Sequence, residues 1–270
     1  MSPPSEAPIP VGLSGALGRL GSRTAALLAV EPGIALTGLL ASLGSPGAGK
    51  RHPEAPQVTV TADPAEAMAG ARVWVEMSLP GPCMEHAEAA AKAGAALLIA
   101  VTGFSAPQKQ RLQELSKKVP VLLTANLSLG VSALAHLCRE AARGLGYSVE
   151  ITESHHAAKR DAPSGTALML ARVIAETRGW GEDSFRIGRT GAMGPRPEKE
   201  IGIHALRGGD VVGEHQVIFE GPGEQLVLSH NARSRDCFAR GVIPAVRMLA
   251  GREPGWYTMD DVWKAALIGR

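Results

Sequence analysis

Aromatic side chains are scarce, 4% of 270 residues, so aliphatic groups must fill the core. Charge of one sign is not in excess either, the formal net charge being +2. That argues against an extended phosphate-neutralising surface, and nucleic acid is not an expected partner. The three cysteines, Cys83, Cys138 and Cys237, are odd in number, far apart and free of any C-x-x-C pairing. They suggest neither a disulfide framework nor a zinc site and read as buried reduced thiols. No uninterrupted apolar run reaches the roughly 18 residues of a membrane span, and the opening MSPPSEAPIP lacks the basic start and apolar stretch of a leader. The expectation is a cytoplasmic protein with no membrane partner. No internal repeat is visible, and the Gly/Pro-rich stretch from Gly44 to Pro56 is the one biased segment.

What is present is an ordinary globular balance, 45% hydrophobic and 20% charged residues, in a chain long enough for one large core or two smaller ones. Strand-like runs at Pro10 to Ser14, Ile34 to Leu40, Val58 to Thr61, Val73 to Ser78, Ala96 to Val101 and Val119 to Thr124 alternate with helical patterns at Leu20 to Val30, Met84 to Ala93 and Gln108 to Lys118. Such alternation predicts an α/β, Rossmann-like, doubly wound parallel sheet. After a helix from Ser132 to Leu145, strand signals crowd together at Tyr147 to Thr152, Ile201 to Leu206, Val211 to Phe219 and Gln225 to His230. The turn dipeptides Gly208-Gly209 and Pro222-Gly223 read as hairpins, so the second domain is expected to be α+β with a mostly antiparallel sheet. The helical pattern Cys237 to Ala250 is expected to return to the first domain. The predicted division is 1–126 with 236–270 for dinucleotide binding, and 127–235 for substrate binding and oligomerisation.

Gly15, Gly18 and Gly21 follow the first strand and open the first helix. Glycines there let backbone approach a pyrophosphate that the helix N-terminus stabilises, although three glycines also occur in purely structural turns. Arg19 could add a charge near the phosphates. A rival loop, GSPGAGKR from Gly44 to Arg51, fails the nucleoside-triphosphate pattern twice. Arg51 stands where a magnesium-holding hydroxyl is required, and HPEAPQ follows in place of a helix. In dinucleotide folds an acid ends the second strand and holds the adenosine ribose; here the segment reads Leu39-Leu40-Ala41-Ser42. Without that acid, Ser42, Lys50 and Arg51 are free to meet a 2′-phosphate, and NADPH is expected to serve at least as well as NADH.

The densest chemistry lies in EITESHHAAKRDAPSGTA, Glu150 to Ala167. Histidine is the natural proton donor near neutrality, and His155 and His156 stand at the end of a strand. Lys159 supplies a fixed positive charge. Ser164, Gly165 and Thr166 lead into a helix expected over Ala167 to Glu176, and their hydroxyls and free N–H groups would seat a carboxylate. Taken singly, the histidines also fit a surface or a metal site completed by His204, His215 or His230, Lys159 a solvated charge, Asp161 a turn former and Ser164 an N-cap. Taken together they point to acid chemistry on a compact anion.

These eighteen residues match the signature E-[IV]-x-E-x-H-x-x-x-K-x-D-x-P-S-G-T-A, and the chain resembles the dihydrodipicolinate reductase family. GALGRLG is similar to that family's GAxGRMG, VTGF to TTGF and ANLSLGV to NFSxGV, and Ile201 to Glu224 and Ser234 to Gly241 resemble its second domain and closing helix. The resemblance implies hydride transfer from NADH or NADPH to a cyclic unsaturated dicarboxylate on the diaminopimelate route to lysine, in a homotetramer joined through the second domain's sheet, with no metal. It implies His155 as proton donor, Lys159 as stabiliser of the intermediate or carboxylate clamp, and His156, Ser164, Gly165 and Thr166 as substrate-binding. Cofactor contacts are implied at Gly15, Ala16, Gly18, Arg19, Leu20, Ser42, Ala100, Val101, Thr102, Thr124, Ala125, Asn126 and Leu127. Departures cluster in that half: Ala41 for the acid, Leu17 for a smaller residue, Glu76-Met77-Ser78 for D-F-T, Ala100-Val101 for G-T and Leu127 for phenylalanine. A paralogous reductase of a related cyclic imine or unsaturated dicarboxylate and a cofactor-binding protein without turnover are the competing readings.

Overall fold

A computed structural model describes residues 7–268. They fall into two compact units, one made of the described residues up to Leu129 together with those from Asp236 onward, the other running from Gly130 to Arg235.

The first unit runs β1 (Ile9–Ser14), α1 (Arg19–Leu28), β2 (Ile34–Leu40), β3 (Arg51–His52), β4 (Ala55–Thr61), α2 (Pro64–Met68), β5 (Val73–Glu76), α3 (Pro80–Lys92), β6 (Ala96–Ile99), α4 (Ala106–Leu115) and β7 (Pro120–Leu123). Local chemistry sets the helix starts. Asp63 caps α2 through the Ala65 amide with Pro64 behind it, and Ser105 and Gln108 form a reciprocal capping box on α4. The central strands are short, fully buried runs such as ALLI, and VWVE, apolar but for its final Glu76, as a sheet covered on both faces requires. Alternate residues feed opposite layers: Val73, Val75 and Leu98 enter one apolar cluster, Trp74, Leu97 and Ile99 the other.

The second unit carries α5 (Leu129–Gly144, whose first residue closes the first unit), β8 (Ser148–His155), α6 (Gly165–Thr177), β9 (Phe185–Ile187), β10 (Ile201–Arg207), β11 (Gly213–Gly221) and β12 (Glu224–Ala232). The chain then re-enters the first unit with α7 (Asp236–Arg240), α8 (Val242–Leu249), β13 (Gly255–Tyr257) and α9 (Met259–Ile268). Val242, Ala245, Val246 and Leu249 of α8 join the cluster that holds Leu13 and Val75.

The first sheet has the order β13-β7-β6-β5-β1-β2-β4-β3, parallel except for the β3–β4 pair. The chain moves outward from β1 through β2 and returns to β5 on β1's other side, which makes the carboxyl ends of β1 and β5 the switch point where such folds take ligands.

The second sheet has the order β12-β11-β8-β10-β9. Its antiparallel junctions hold more residue pairs than its parallel ones. Pro222-Gly223 closes the β11–β12 hairpin. Gly208-Gly209 does not close one: β10 and β11 lie on opposite sides of β8, β10 parallel and β11 antiparallel to it. A turn dipeptide gives a reversal but not a partner, and here both edges of β8 compete for the flanking strands. The 208–212 turn instead crosses the end of β8, where it bonds the backbone of His155, His156 and Ala157. The Gly44–Arg51 stretch forms hydrogen-bonded turns leading into a strand, which leaves no helix start for a triphosphate loop.

Candidate active site

Along β8 one face buries Val149, Ile151 and Glu153, and His155 follows in the same alternation. Across the antiparallel pair stand Phe219, Val217 and His215. The face is thus apolar along most of its length and ends in Glu153 and His215, each at most 4% exposed.

Glu153 is the hub. Its Oε1 accepts from the Ser164 amide at 2.9 Å and Arg207 Nη2 at 2.8 Å; its Oε2 meets His155 Nδ1 at 2.6 Å and Arg207 Nη1 at 2.8 Å. Burial pushes this carboxyl's pKa up, but the hydrogen bonds from Arg207, His155 and Ser164 outweigh it, and the net shift is downward. Glu153 is therefore ionised near neutrality, the state its donors demand. Arg207 also ties the Asp161 carbonyl at 2.7 Å, drawing the loop between His155 and Ser164 back onto β10.

Ser164 caps α6 by accepting from the Ala167 amide at 3.1 Å, and its hydroxyl lies 2.9 Å from His215 Nε2. Its side chain and amide are both engaged within the protein, so the helix start faces a ligand chiefly through Gly165 and Thr166. No acidic residue lies in the first turn of α6, which keeps that end open to an anion. Burial, then the neighbouring His155, pushes the His215 pKa down to about 4, so this imidazole is neutral; it meets the His155 ring edge-on at 5.2 Å. The Lys159 ammonium sits 2.8 Å from both oxygens of Asp161. Asp161 is 64% exposed in its side chain, a partner that a substrate carboxylate can displace at small cost. His156 is half-buried, its amide bonded to the Val211 carbonyl at 2.7 Å. His204 lies on the opposite face of the sheet, 2.8 Å from Glu150. Among the described residues no group of three or more His, Cys, Asp or Glu is placed to hold a metal ion.

The first unit carries a separate cradle. Gly15 has φ +72°, and a Cβ there would stand 2.5 Å from the Met77 carbonyl oxygen at the end of β5. A Cβ on Gly21 would stand 2.1 Å from the Gly15 carbonyl oxygen. Gly15 thus permits the turn and Gly21 the close approach of α1 to β1, the two demands of a dinucleotide fingerprint. Gly18 caps α1 without a side-chain bond, and the first turn holds no acid, so exposed amides and Arg19 meet any phosphate. The residues present fit a pyrophosphate.

The other expected cofactor residues lie at the carboxyl ends of the same sheet, with their side chains turned in different directions. Ser42 and Thr102 are exposed, as is Ala125, and Ala100 is half-buried. Leu20 packs partly against the core, and Ala16 is fully buried with its carbonyl 3.1 Å from His52 Nε2. Val101 and Leu127 are 5% and 2% exposed and belong to apolar clusters, so their backbone is what they can offer a ligand. Thr124 donates to the Asn126 carbonyl at 2.8 Å, and Asn126 Oδ1 accepts from the Ser128 amide, a braced turn. At the end of β2, Ala41 is buried, Ser42 and Lys50 are exposed, and Arg51 donates to the Pro56 carbonyl at 2.6 Å.

The family model described as the N-terminus of dihydrodipicolinate reductase matches residues 9–127, and the model of its C-terminus matches 130–263. The chain belongs to the dihydrodipicolinate reductase family. It is 45% identical over 260 residues to the 4-hydroxy-tetrahydrodipicolinate reductase of Anaeromyxobacter dehalogenans (strain 2CP-1), covering 93% of this chain and 96% of that protein. The corresponding enzyme of Syntrophus aciditrophicus is 42% identical, with 93% and 96% covered. Among solved structures, a dipicolinate-bound dihydrodipicolinate reductase from Paenisporosarcina sp. TG-14 shares the fold at TM-score 0.77, with 24% identity over 93% of this chain and 97% of that one.

Glu153 and Arg207 had no role from the sequence alone, and His215 had one only as a possible metal ligand; the structure gathers all three around His155. Glu153 was within reach, because the i, i+2 spacing puts it on the face of His155 in any strand. Arg207 and His215 are brought in only by the flanking of β8. In the first unit the sequence likewise hid a buried carboxylate, Glu76, which accepts from Trp74 Nε1 at 3.1 Å, the Ser78 amide at 3.0 Å and His86 at 3.0 Å.

Proposed function

We propose that this protein reduces 4-hydroxy-tetrahydrodipicolinate to tetrahydrodipicolinate with NADH or NADPH, on the diaminopimelate route to lysine. The observation that carries the reading is His155, held by a buried ionised Glu153 beside the open N-terminus of α6. The 4-hydroxyl leaves as water, and a bound nicotinamide would supply the hydride that reduces the unsaturated ring left behind. His155 supplies the proton to the ring carbon, and Lys159, on leaving Asp161, balances a carboxylate or the developing anion. His156 and the helix start at Ser164, Gly165 and Thr166 seat the dicarboxylate, Gly165 and Thr166 through the first turn's N–H groups and Ser164 by holding that turn in place. Gly15, Ala16, Gly18, Arg19 and Leu20 cradle the cofactor pyrophosphate. Ser42 serves the adenosine end, and the backbone of Ala100, Val101 and Thr102 with the turn Thr124, Ala125, Asn126 and Leu127 serves the nicotinamide side. In this reading the unit rich in parallel strands binds cofactor and the other binds substrate.

A homotetramer formed through the outward face of the second sheet belongs to the same proposal. That face leaves Leu206 54% and Val227 43% exposed, apolar surface that a second copy would cover. Residence in the cytoplasm suits the unpaired Cys83 and Cys138, both buried thiols. Replacing His155 with Gln, or Lys159 with Ala, tests the chemistry: turnover is expected to fall on the order of 10²-fold or more in each, with the fold retained by circular dichroism. Turnover kept in both variants would remove these residues from the mechanism.

A further inference from the structure

Four hydrogen bonds converge on Glu153, and beyond holding His155 in place they bear on where its proton sits. We propose that Glu153, charge-balanced by Arg207, is the positioning residue that decides which nitrogen of His155 exchanges the proton; this rests on His155 being the proton donor.

The argument is one of donors and acceptors. The Glu153 side chain is 0% exposed and meets four N–H groups, two from Arg207, one from the Ser164 amide and one at His155 Nδ1. The guanidinium and the amide donate and cannot accept, so the carboxylate must be the acceptor for both. An ionised carboxylate has no proton to give, and His155 Nδ1 must donate to it. Nε2 is then the nitrogen left to hand over a proton. It faces Gly213, where a Cβ would stand 3.0 Å away, so this glycine leaves the ring its place. In the step, the Nε2–H bond breaks toward the substrate carbon, its electron pair stays on Nε2, and the ring passes from imidazolium to neutral imidazole with Nδ1–H still on Glu153.

The other charged and titratable groups around the ring do not compete for Nδ1. Arg207 on β10 is bound to Glu153, and Lys159 and Asp161 in the loop after β8 are bound to each other. His215 on β11 meets the ring edge-on and uses its Nε2 on Ser164. Arg207 has a second task. A lone carboxylate at this depth would be costly to ionise, and the bidentate guanidinium keeps it charged while leaving one lone pair on Oε2 for the imidazole.

Nitrogen-15 NMR of the histidine-labelled full chain, near pH 8, reads the tautomer directly, with the His155 signals assigned by their loss in His155→Gln. The expected result is Nδ1–H in the wild type. In Glu153→Gln the amide NH₂ turned to the ring forces Nδ1 to accept, and the tautomer becomes Nε2–H. That variant is expected to lose kcat on the order of 10²-fold while KM changes by less than about threefold. Glu153→Asp is expected to keep Nδ1–H and recover part of kcat, which a loss of folding would not produce. A wild-type His155 carrying Nε2–H overturns the proposal without any variant. So does Glu153→Gln with kcat within about threefold of wild type. If His155→Gln loses turnover while Glu153→Gln does not, the positioning role alone falls; if His155→Gln turns over normally, the proton-donor reading falls and takes this proposal with it.

Discussion

Acidification from about pH 7 to about pH 5 is expected to weaken the second unit by about 2 kcal/mol through His215 alone. The imidazole is 4% exposed, and burial with the nearby His155 holds its pKa down to about 4 against an ordinary 6.5. A folded-state pKa below the unfolded one means that the unfolded chain takes the proton first. The contribution is intact above 6.5, erodes as the pH falls, and is fully lost, about 3 kcal/mol, once the pH passes below the folded value. At about pH 5 roughly two-thirds of that is gone. The carboxylates Glu150 and Glu153 are shifted downward and keep their contributions until the pH falls below the ordinary carboxylate range, so they do not act in this window. His230 is shifted downward by burial as well and acts in the same direction, but it remains in the comparison. Urea titrations of the wild type and His215→Gln at both pH values isolate the effect: the wild type is expected to lose about 2 kcal/mol more than the variant. Equal losses in the two proteins would refute the claim that His215 is buried neutral.

In the first unit, Gly21→Ala drives a methyl group into the Gly15 carbonyl, 2.1 Å from the ideal Cβ. The expected cost is about 1–3 kcal/mol in stability, with a tenfold or greater loss of dinucleotide affinity by fluorescence titration. At the end of β2, where buried Ala41 is followed by exposed Ser42, kcat/KM with NADPH is expected to equal or exceed that with NADH. Ala41→Asp restores the ribose-holding acid and is expected to shift the ratio toward NADH by about tenfold; an unchanged ratio would place cofactor choice elsewhere.

Much of the first unit was legible because its strands are buried runs with no alternative use. Ile34 to Leu40 forms β2 with those limits, and Gly15 and Gly21 stand where the turn and the close approach require glycine. Among the elements that escaped, β3, β9 and β13 span two or three residues, too few to show a period, and the helices α2 and α9 were missed as well. His155 and the helix start were readable from eighteen contiguous residues, but Arg207 reaches Glu153 across 54 positions, and that contact exists only because β10 flanks β8. Side-chain direction was the other blind spot. Val101 and Leu127 sit at strand ends suited to a cofactor, yet both are buried in apolar clusters, Val101 in the same alternation as Leu97 and Ile99 of β6. The positive charge of Lys159 was legible; its pairing with Asp161 was not.

The most direct test follows the absorbance of NADH and of NADPH as the purified protein meets 4-hydroxy-tetrahydrodipicolinate freshly made by the condensation that precedes this step. Rapid oxidation of at least one cofactor, dependent on that substrate and lost in His155→Gln, is the expected result. Oxidation of neither, in a folded protein that binds both, would contradict the assignment.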